Sequence, residues 1–453
     1  MRIRLILGIW ACKAGIMISR LLGKGGTSMP GKLAFAICPA ILSLLSAQVK
    51  KDIIVVCGTN GKTTTNNLLA AFIRSCGHKV VCNDKGANMI WGVCCAFAEQ
   101  ASLWGKLSAD FACLEVDEAS AVKVLQHVKP KTMVMTNLFR DQLDRYGDIE
   151  TTVDFLRRAL SLSPDTRLLL NGDDPLVAAF GENTDRECLY MSVDEDTGLG
   201  VDDAKDGRFC SFCGAPLRYD YYHYSQLGNF SCTGCSFKRH EPDFKVSEVS
   251  LHDGLTFCLE YNEKKEPFAV SYRGFYNVYN IALSYAAALI SMGEAPDYQA
   301  VLAAYKPQVG RMESFTIGSK DVILNMAKNP AGFNQAIATL LQDSREKDIL
   351  IAVNDNESDG QDITWLWDVS FESLQNAGVK RLVVSGLRAD ELMLRLKYAG
   401  FAENTQIKCH ELQQAVDAAA GGDAPVCYML ANYTAVFPIQ KILKETEGQS
   451  HGA

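Results

Sequence analysis

The chain has 453 residues, of which 48% are hydrophobic and 22% are charged, a balance typical of globular proteins. This length exceeds the size at which a single hydrophobic core stops growing, so we predict two or three domains. The formal net charge of −8 excludes wholesale nucleic-acid binding, which requires a basic surface, and we predict no nucleic-acid partner.

The N-terminal segment, residues 1–50, begins with an apolar and basic stretch. Lys13 and Arg20 interrupt it, so it lacks the roughly 20 consecutive apolar residues of a membrane-spanning helix. A signal-peptide core fits between Leu5 and Cys12, but no clear cleavage site follows it. We therefore predict an amphipathic helix that packs on the protein or touches a membrane surface. The predicted compartment is the reducing cytoplasm, at the inner face of the membrane, where the cysteines are buried thiols or metal ligands.

From Asp52 onward, short β-branched runs alternate with helical stretches, which predicts an α/β fold with parallel sheets wrapped by helices. A central domain is predicted over 51–315, with strands at Ile53–Cys57, Lys79–Cys82, Phe111–Val116, Thr132–Thr136 and Arg167–Asn171. A second series predicts a C-terminal, Rossmann-like α/β domain over 316–453, with strands at Val322–Asn325, Ile349–Val353, Arg381–Ser385 and Val426–Leu430.

The segment VVCGTNGKTTTNNLL predicts a phosphate-binding loop between the first strand and a helix that continues to about Arg74. Glycines let backbone N–H groups approach phosphate oxygens, and a helix N-terminus favours negative charge. Lys62 can reach the β- and γ-phosphates of ATP, and the Thr63 hydroxyl can ligate Mg²⁺. The predicted ATP-binding residues of this loop are Gly58, Thr59, Asn60, Gly61, Lys62, Thr63 and Thr64.

Polar residues also follow three other predicted strands, at the carboxyl edge where parallel sheets bind ligands. Glu115, Asp117 and Glu118 follow one of them, and Glu115 is the predicted Mg²⁺ ligand because this ion prefers hard oxygen donors. The polar residues after the next two strands are Thr136, Asn137, Asp141, Asp144, Arg145, Asn171, Asp173 and Asp174. Any one of them could cap a helix, but together they indicate a site at this edge.

An insertion at about 205–243 contains two Cys-x-x-Cys pairs, Cys210 with Cys213 and Cys232 with Cys235. The eighteen residues between the pairs give the spacing of a Cys₄ zinc ribbon. Four thiolates leave no open coordination position, so the predicted Zn²⁺ is structural. Its binding free energy, about 10–16 kcal/mol in small sites, offsets the ordering of an insertion that has little core.

Six motifs occur in the order found in Mur ligases and folylpolyglutamate synthases, which the chain resembles: GTNGKTT, LEVDE, TNLFRDQLDRYGD, NGDDP, FYNVYNIALS and GRMESF. The resemblance implies a ligase that forms an acyl phosphate from ATP and a carboxylate, which an amine then attacks. It further implies that Asn280 lies near the nucleotide base, that Arg311 reaches the nucleotide from the hinge, and that Asn171 and Asp174 line the pocket.

Two features depart from the usual Mur pattern. Gln142 stands where these ligases have a metal-binding His, and no lysine lies between Lys131 and Lys205 to serve as their carbamylated lysine. The metal site is therefore expected to be built differently.

The ribbon, together with KGGTSMPGKLA and VNDNESDGQDITWLWDVSFE, resembles the Mur-type subunit of lipid II isoglutaminyl synthase. This implies amidation of the D-glutamate α-carboxylate of a lipid-linked peptidoglycan precursor, with glutamine as amido donor and a GatD-like glutaminase as partner in a heterodimer. Membrane contact is then expected through the substrate. The sequence agrees with an outside source of ammonia, because none of its sixteen cysteines has the GxCxG setting of a glutaminase nucleophile.

Three acids, Asp355, Asp359 and Asp362, follow a strand of the second series. The resemblance implies that one of them orients the catalytic His of the partner, and we predict Asp359, with Asp355 as the alternative. Lys328-Asn329-Pro330 matches a further motif, expected near substrate or phosphate. Two rival functions are a self-sufficient ligase that adds an amino acid to a precursor or folate, and a non-catalytic ATP-gated scaffold.

Overall fold

A computed structural model describes residues 2–22, 26–84, 86–141, 148–199, 207–252, 254–271, 274–305 and 309–450. The chain forms two compact units. The first consists of Met1–Phe139, Ile149–Val270 and Tyr276–Tyr305, and the second of Arg140–Asp148, Ser271–Phe275 and Lys306–Ala453.

The first unit begins with helices α1 (Arg2–Leu21), α2 (Met29–Ile37) and α3 (Ile41–Ser46). Their buried residues belong to the same core as the central sheet, so the N-terminal segment is part of this unit. Gly31 permits the packing of α2, because a Cβ there would lie 1.9 Å from the carbonyl oxygen of Trp91. Among the described residues, no helix has both the length and the apolar character needed to cross a membrane.

The central sheet of the first unit has nine strands in the order β11-β10-β9-β6-β5-β4-β1-β3-β2. Its strands are β1 (Asp52–Cys57), β2 (Val80–Cys82), β3 (Phe111–Glu115), β4 (Thr132–Met135), β5 (Arg167–Asn171), β6 (Cys188–Val193), β9 (Phe244–Ser250), β10 (Leu255–Tyr261) and β11 (Lys264–Val270). Helices α4 (Lys62–Ser75), α5 (Ile90–Gln100), α6 (Glu118–Leu125), α7 (Ile149–Ser161), α8 (Pro175–Ala178), α9 (Tyr276–Met292) and α10 (Tyr298–Ala304) complete this unit.

The predicted parallel arrangement is confirmed from β2 through β9. The sequence did not predict β6, whose short run Cys188–Val193 follows a turn-rich stretch. β10 and β11 extend the sheet as antiparallel strands, so it is mixed and not wholly parallel. Because β1, β3, β4 and β5 all run parallel, their carboxyl ends meet at one edge.

The insertion folds as an antiparallel hairpin of β7 (Leu217–Tyr224) and β8 (Leu227–Cys232). A small cluster of Ala178, Ala179, Cys210, Phe230 and Phe237 is its hydrophobic core. This core is far smaller than that of the central sheet, as expected for a segment that needs a further source of stability.

The second unit contains a six-stranded sheet in the order β12-β13-β17-β14-β15-β16. Its strands are β12 (Glu313–Ile317), β13 (Lys320–Met326), β14 (Lys347–Ala352), β15 (Val379–Ser385), β16 (Gln406–Lys408) and β17 (Val426–Ala431). Its helices are α11 (Pro330–Leu341), α12 (Ala389–Tyr398), α13 (Leu412–Ala420) and α14 (Tyr433–Ser450). β12 pairs with β13, so residues 313–315, which the sequence assigned to the central domain, belong to the sheet of the second unit.

Candidate functional site

The loop between β1 and α4 depends on two glycines. Gly58 has φ 126° and Gly61 has φ 83°, values in the left-handed region that favours glycine. A Cβ on Gly58 would lie 2.2 Å from the Thr136 hydroxyl oxygen, and one on Gly61 would lie 2.1 Å from the side-chain oxygen of Asn280. The two neighbouring elements, β4 and α9, therefore approach this loop too closely for any other residue.

Lys62 and Glu118 form a buried ion pair at the start of α4. The Lys62 Nζ lies 3.0 Å from Oε1 of Glu118 and donates to the carbonyl oxygens of Gly58 and Thr59, at 2.5 and 3.3 Å. The same carboxylate oxygen accepts the backbone N–H of Gly58, at 3.0 Å. An amide and an ammonium group thus converge on one anionic oxygen, the arrangement that a phosphate oxygen also requires.

The charges around this pair are strongly coupled. Burial by itself would lower the pKa of Lys62, but the carboxylates of Glu118, Asp117 and Glu115 outweigh burial and raise it. Burial also raises the pKa of Glu118, against the opposing charge of Lys62. Lys62 is therefore a permanent cation within the loop.

Glu115, the predicted Mg²⁺ ligand, ends β3 directly beside β1. Its Oε1 accepts a hydrogen bond from Nδ2 of Asn88, at 3.0 Å. Its Oε2 is buried and makes no hydrogen bond. A buried carboxylate oxygen without a donor is costly unless a cation neutralises it, so the residue fits a hard metal ion.

Asn83 holds the backbone of Glu115 in place. Its Oδ1 accepts the N–H of Glu115 at 2.9 Å, and its Nδ2 donates to the Glu115 carbonyl at 2.7 Å. Asn83 and Asn88 were not predicted from the sequence, although NDKGAN follows β2 at the same sheet edge. Their positions after a strand were the available signal.

The polar residues after β4 bind the phosphate loop from its other side. Asn137 accepts the backbone N–H of Asn60 at 2.8 Å through Oδ1, and its carbonyl accepts the N–H of Thr59 at 2.7 Å. The Thr136 hydroxyl donates to the carbonyl of Asn60, at 2.8 Å. These contacts fix the loop before any nucleotide arrives.

Asn171 and Asp174, the predicted pocket residues, are buried after β5. Asn171 donates to the carbonyl of Thr136 at 2.8 Å. Asp174 caps α8 through the Leu176 N–H and accepts the Leu138 N–H at 2.7 Å. Burial raises the pKa of Asp174 to about 7, although these hydrogen bonds favour its charged form.

Two residues carried over from the resemblance have distinct placements. The Asn280 side chain lies against Gly61 and accepts a hydrogen bond from the Thr65 hydroxyl at 3.4 Å, so its contacts are with the phosphate loop. Arg311 belongs to the second unit, next to Met312, whose φ is 54°. Among the other loop residues, Thr63 is half-buried and Thr64 is buried on α4.

The four cysteines of the insertion form one cluster. Their sulfur atoms all lie within 4.8 Å of one another, with 3.6 Å between Cys210 and Cys235 and 3.4 Å between Cys213 and Cys232. A tetrahedral zinc site with Zn–S bonds of about 2.3 Å has sulfur separations of about 3.8 Å. Although desolvation opposes it, the Gly234 N–H and neighbouring thiols lower the pKa of Cys232 to about 7. The cluster therefore fits Zn²⁺.

A buried charge network joins the insertion to the central sheet. Asp173 accepts hydrogen bonds from the Val193 N–H at 2.8 Å, the Tyr279 hydroxyl at 2.8 Å and the Arg239 guanidinium at 3.1 Å. Arg239 also pairs with Asp194. From the sequence, Asp173 is only one of several polar residues at the sheet edge. The role of Asp173 in linking the insertion to the central sheet depends on long-range contacts that no local motif encodes.

In the second unit, Asp359 has a structural role. It is 3% exposed, and its two carboxylate oxygens accept the backbone N–H of Thr434 at 2.8 Å and the Thr434 hydroxyl at 2.5 Å. Thr434 is the second residue of α14, so Asp359 caps this helix. The predicted orienting acid is thus the least accessible of the three candidates.

The other two acids are less buried. Asp355 pairs with Arg388, at 2.5 Å, and keeps 20% of its side chain exposed. Asp362 caps the turn before Trp365 by accepting the N–H and hydroxyl of Thr364. Of the three acids, Asp355 lies nearest the end of β14 and combines exposure with a fixed orientation.

The Lys328-Asn329-Pro330 motif begins α11. Asn329 caps the helix by accepting the Gly332 N–H at 2.8 Å, and Lys328 pairs with Asp141 at 2.6 Å. The second oxygen of Asp141 is buried without a hydrogen bond. Gln142, which stands where the usual Mur ligases have a metal-binding His, lies outside the described residues. So do the polar residues Asp144 and Arg145.

Two family models match the chain. One described as the Mur ligase middle domain matches residues 56–209, and one described as the MurT ligase C-terminal domain matches residues 326–436. They cover the phosphate loop and the acids after β14, respectively.

Named relatives match over most of the chain. A protein of Staphylococcus aureus (strain COL), "Lipid II isoglutaminyl synthase (glutamine-hydrolyzing) subunit MurT", is 37% identical over 84% of this chain and 85% of its own length. The protein of the same name from Streptococcus pneumoniae (strain ATCC BAA-255 / R6) is 31% identical over 98% of both chains. A pseudomurein peptide ligase type C from Methanothermus fervidus has the same fold, with a TM-score of 0.69 at 22% identity over 88% of this chain and 79% of its own.

Proposed function

This chain belongs to the MurT family and is a ligase of the Mur type, and we propose that it amidates a carboxylate of lipid II with ATP. The proposed product is the D-isoglutaminyl form of the precursor. The substrate carboxylate attacks the γ-phosphate of ATP, which gives an acyl phosphate and ADP. Ammonia then attacks the acyl carbon, and phosphate leaves as the amide forms.

The observation that supports this proposal best is the convergence of the Gly58 N–H and the Lys62 ammonium group on one carboxylate oxygen of Glu118. The loop already binds an anion, so phosphate oxygens would find matching donors without rearrangement of the backbone. Lys62 would then stabilise the charge that develops on the transferred phosphoryl group. Glu118 would keep Lys62 oriented in the absence of ATP.

We propose that Glu115 and the Thr63 hydroxyl hold Mg²⁺, which would neutralise the phosphate charge when bound. The support is the hydrogen-bond-free Oε2 of Glu115 at the end of β3. Asn88 orients this carboxylate, and Asn83 fixes the Glu115 backbone. Zn²⁺ would occupy the four cysteines and hold the insertion folded.

We propose that ammonia comes from a separate glutaminase subunit that docks on the second unit near Asp355. Exposed apolar side chains lie on neighbouring elements: the Leu387 N–H donates to Asn354, the residue before Asp355, and Tyr433 and Phe437 lie one turn apart on α14. Exposed aromatic residues beside a partly exposed, oriented carboxylate are typical of an interface. Asp355 would orient the catalytic His of the glutaminase and thereby complete the set of catalytic residues that hydrolyses glutamine.

The test is to measure amidation of the lipid-linked precursor by the complex, first with glutamine and then with ammonium salt. Loss of an orienting acid costs about 10⁴-fold in rate, so Asp355→Asn should nearly abolish glutamine-dependent amidation. High ammonium should restore the product, because the ATP-dependent step is intact.

Asp359→Asn, at the acid that the sequence predicts for this role, is the matched variant. Because Asp359 caps α14, this change should lower the thermal stability of the complex and slow glutamine hydrolysis less than Asp355→Asn does. If Asp359→Asn instead stops glutamine hydrolysis in a stable complex, Asp359 is the orienting acid. If neither variant affects glutamine hydrolysis, the proposal that an acid of this chain orients the catalytic His of the glutaminase is wrong.

A further inference from the structure

Helix α1 is apolar on two opposite faces. One face packs into the core of the first unit through Leu5, Ile9, Cys12 and Ile16, all less than 9% exposed. The opposite face carries a solvent-exposed stripe, which we call the α1 stripe. It consists of Ile3, Leu7, Trp10, Met17, Ile18 and Leu21, which are between 44% and 80% exposed.

The spacing of the α1 stripe is helical. Steps of three and four residues lead from Ile3 through Leu7 and Trp10 to Ala14, Met17 and Leu21, so these residues share one face of an α-helix. With about 1.5 Å per residue, the twenty residues of α1 give the stripe a length of about 30 Å. Apolar surfaces that are this continuous and exposed normally mark a binding site.

A neighbouring loop extends the apolar surface. The Trp10 indole N–H donates to the carbonyl of Leu103 at 2.9 Å, which brings the exposed Leu103 and Trp104 beside the helix. The exposed Lys106 follows in the same loop. Trp side chains suit a boundary between apolar and aqueous surroundings, because the ring is apolar and its N–H is polar.

The charged residues of α1 itself are all basic. The helix contains Arg2, Arg4, Lys13 and Arg20 and no acidic residue, within a chain whose net charge is −8. At 100° per residue, Arg2, Lys13 and Arg20 form a row along one border of the stripe, and Arg4 lies at the other border. Arg20 pairs with Glu99 of α5 at 2.5 Å, with about half of its side chain exposed.

We propose that the α1 stripe and its bordering cations dock the protein directly on an anionic lipid surface. A helix that is apolar on one face and basic along its borders lies in the plane of a membrane interface, with the apolar side chains inserted and the cations at the phosphates. A second copy of this chain fits less well. A two-fold contact would place the same basic borders against each other, and α1 itself carries no acid to neutralise them.

This inference goes beyond the proposed amidation, because docking requires neither nucleotide nor precursor. It adds a second attachment to the membrane besides the lipid-linked substrate. A surface held at the bilayer would raise the local concentration of that substrate.

The test is co-sedimentation of the full chain with vesicles, without ATP or precursor. The wild-type protein should bind vesicles of phosphatidylglycerol and phosphatidylcholine, and should bind vesicles of phosphatidylcholine alone much less. Arg2→Glu with Arg4→Glu should weaken binding to the anionic vesicles at least ~25-fold, since each cation near the surface contributes about fivefold. High salt should weaken wild-type binding in the same direction.

The apolar contribution is tested by Leu7→Gln, Met17→Gln and Leu21→Gln together, which should weaken binding on the order of 100-fold or more. The matched control is Leu341→Gln, Leu394→Gln and Ile407→Gln, three exposed apolar residues of the second unit, which should bind as the wild type does. The zinc content and the unfolding temperature of each variant report whether it is folded.

Three results would overturn the proposal. One is the absence of wild-type binding to anionic vesicles, and another is unchanged binding by the folded α1 variant. The third is a change of assembly: if sedimentation velocity finds that the α1 variant loses a wild-type dimer or a complex with the glutaminase, the stripe is a protein interface. None of these results depends on amidation, so they are distinct from a failure of the proposed function.

Discussion

The phosphate-loop edge and the cysteine cluster are the two candidate ligand sites of the first unit, and they are built in opposite ways. At the loop edge, the donors are satisfied by the protein itself: Glu118 accepts from Gly58 and Lys62, and Asn137 accepts from Asn60. In the cluster, four sulfur atoms face one another with no cation of the protein between them.

At one site the surrounding fold stabilises the ligand-binding residues, and at the other the bound ligand would stabilise the surrounding fold. The loop edge rests on the largest core of the molecule, so it is preorganised before a ligand binds. The hairpin of β7 and β8 rests on a handful of buried residues, so we expect it to depend on the metal ion that the four cysteines fit. Asp173, which bonds to Tyr279 and Arg239, is where the two regions meet.

The largest expected effect is on the cysteine cluster. Cys210→Ser should remove about one zinc ion per chain and unfold the hairpin, since structural zinc contributes about 10–16 kcal/mol in small sites. Amide hydrogen exchange should lose protection in β7 and β8, while β1 and β3 stay protected. Cys258, a half-buried cysteine of β10 outside the cluster, changed to Ser, is the control and should retain the metal. Full zinc content, or full amide protection of β7 and β8, in Cys210→Ser would show that the hairpin does not depend on the cysteine cluster.

The next largest effect is on the loop. Lys62→Met should slow amidation at least about 10²–10³-fold, because a charge that stabilises phosphoryl transfer is lost. It should also lower stability, since Glu118 loses its buried partner, although its raised pKa lets it take up a proton.

Lys320 offers the matched control for Lys62. It is equally buried and pairs with Asp348 at 2.6 Å in the second unit. Lys320→Met should therefore cost similar stability and leave ATP binding, measured by calorimetry, unchanged. Equal loss of ATP binding in both variants would mean that Lys62 acts only through stability.

The smallest expected effect concerns the residue that orients Glu115. Asn88→Ala removes the hydrogen bond to Oε1 of Glu115, and loss of such a partner weakens metal binding about 10–100-fold. The Mg²⁺ concentration for half-maximal activity should rise, whereas the rate at saturating Mg²⁺ should recover. Asn67→Ala, which removes a bond to the carbonyl of Asp84, should leave the Mg²⁺ dependence unchanged.

Local sequence patterns predicted the fold class, which is confirmed, and the two candidate sites. The glycines, Lys62 and Thr63 lie within seven residues, and the cysteines lie in two pairs, so each pattern specifies its chemistry without knowledge of the rest of the chain. The predicted strands β1, β3, β4 and β5 are runs of buried β-branched and apolar residues, which signal parallel strands directly. Their polar ends therefore meet at one edge, as expected.

Tertiary packing, and not local sequence, sets which groups are neighbours and which are accessible to solvent. Asp355 and Asp359 look alike in the sequence. In the structure, Thr434, 75 residues beyond Asp359, donates two hydrogen bonds to the carboxylate of Asp359, whereas Asp355 stays partly exposed. Likewise, α1 is apolar on both faces, and helical periodicity cannot tell which face the core covers. Such distinctions arise from long-range packing, because burial and hydrogen bonding depend on elements that are distant in the chain and adjacent in the fold.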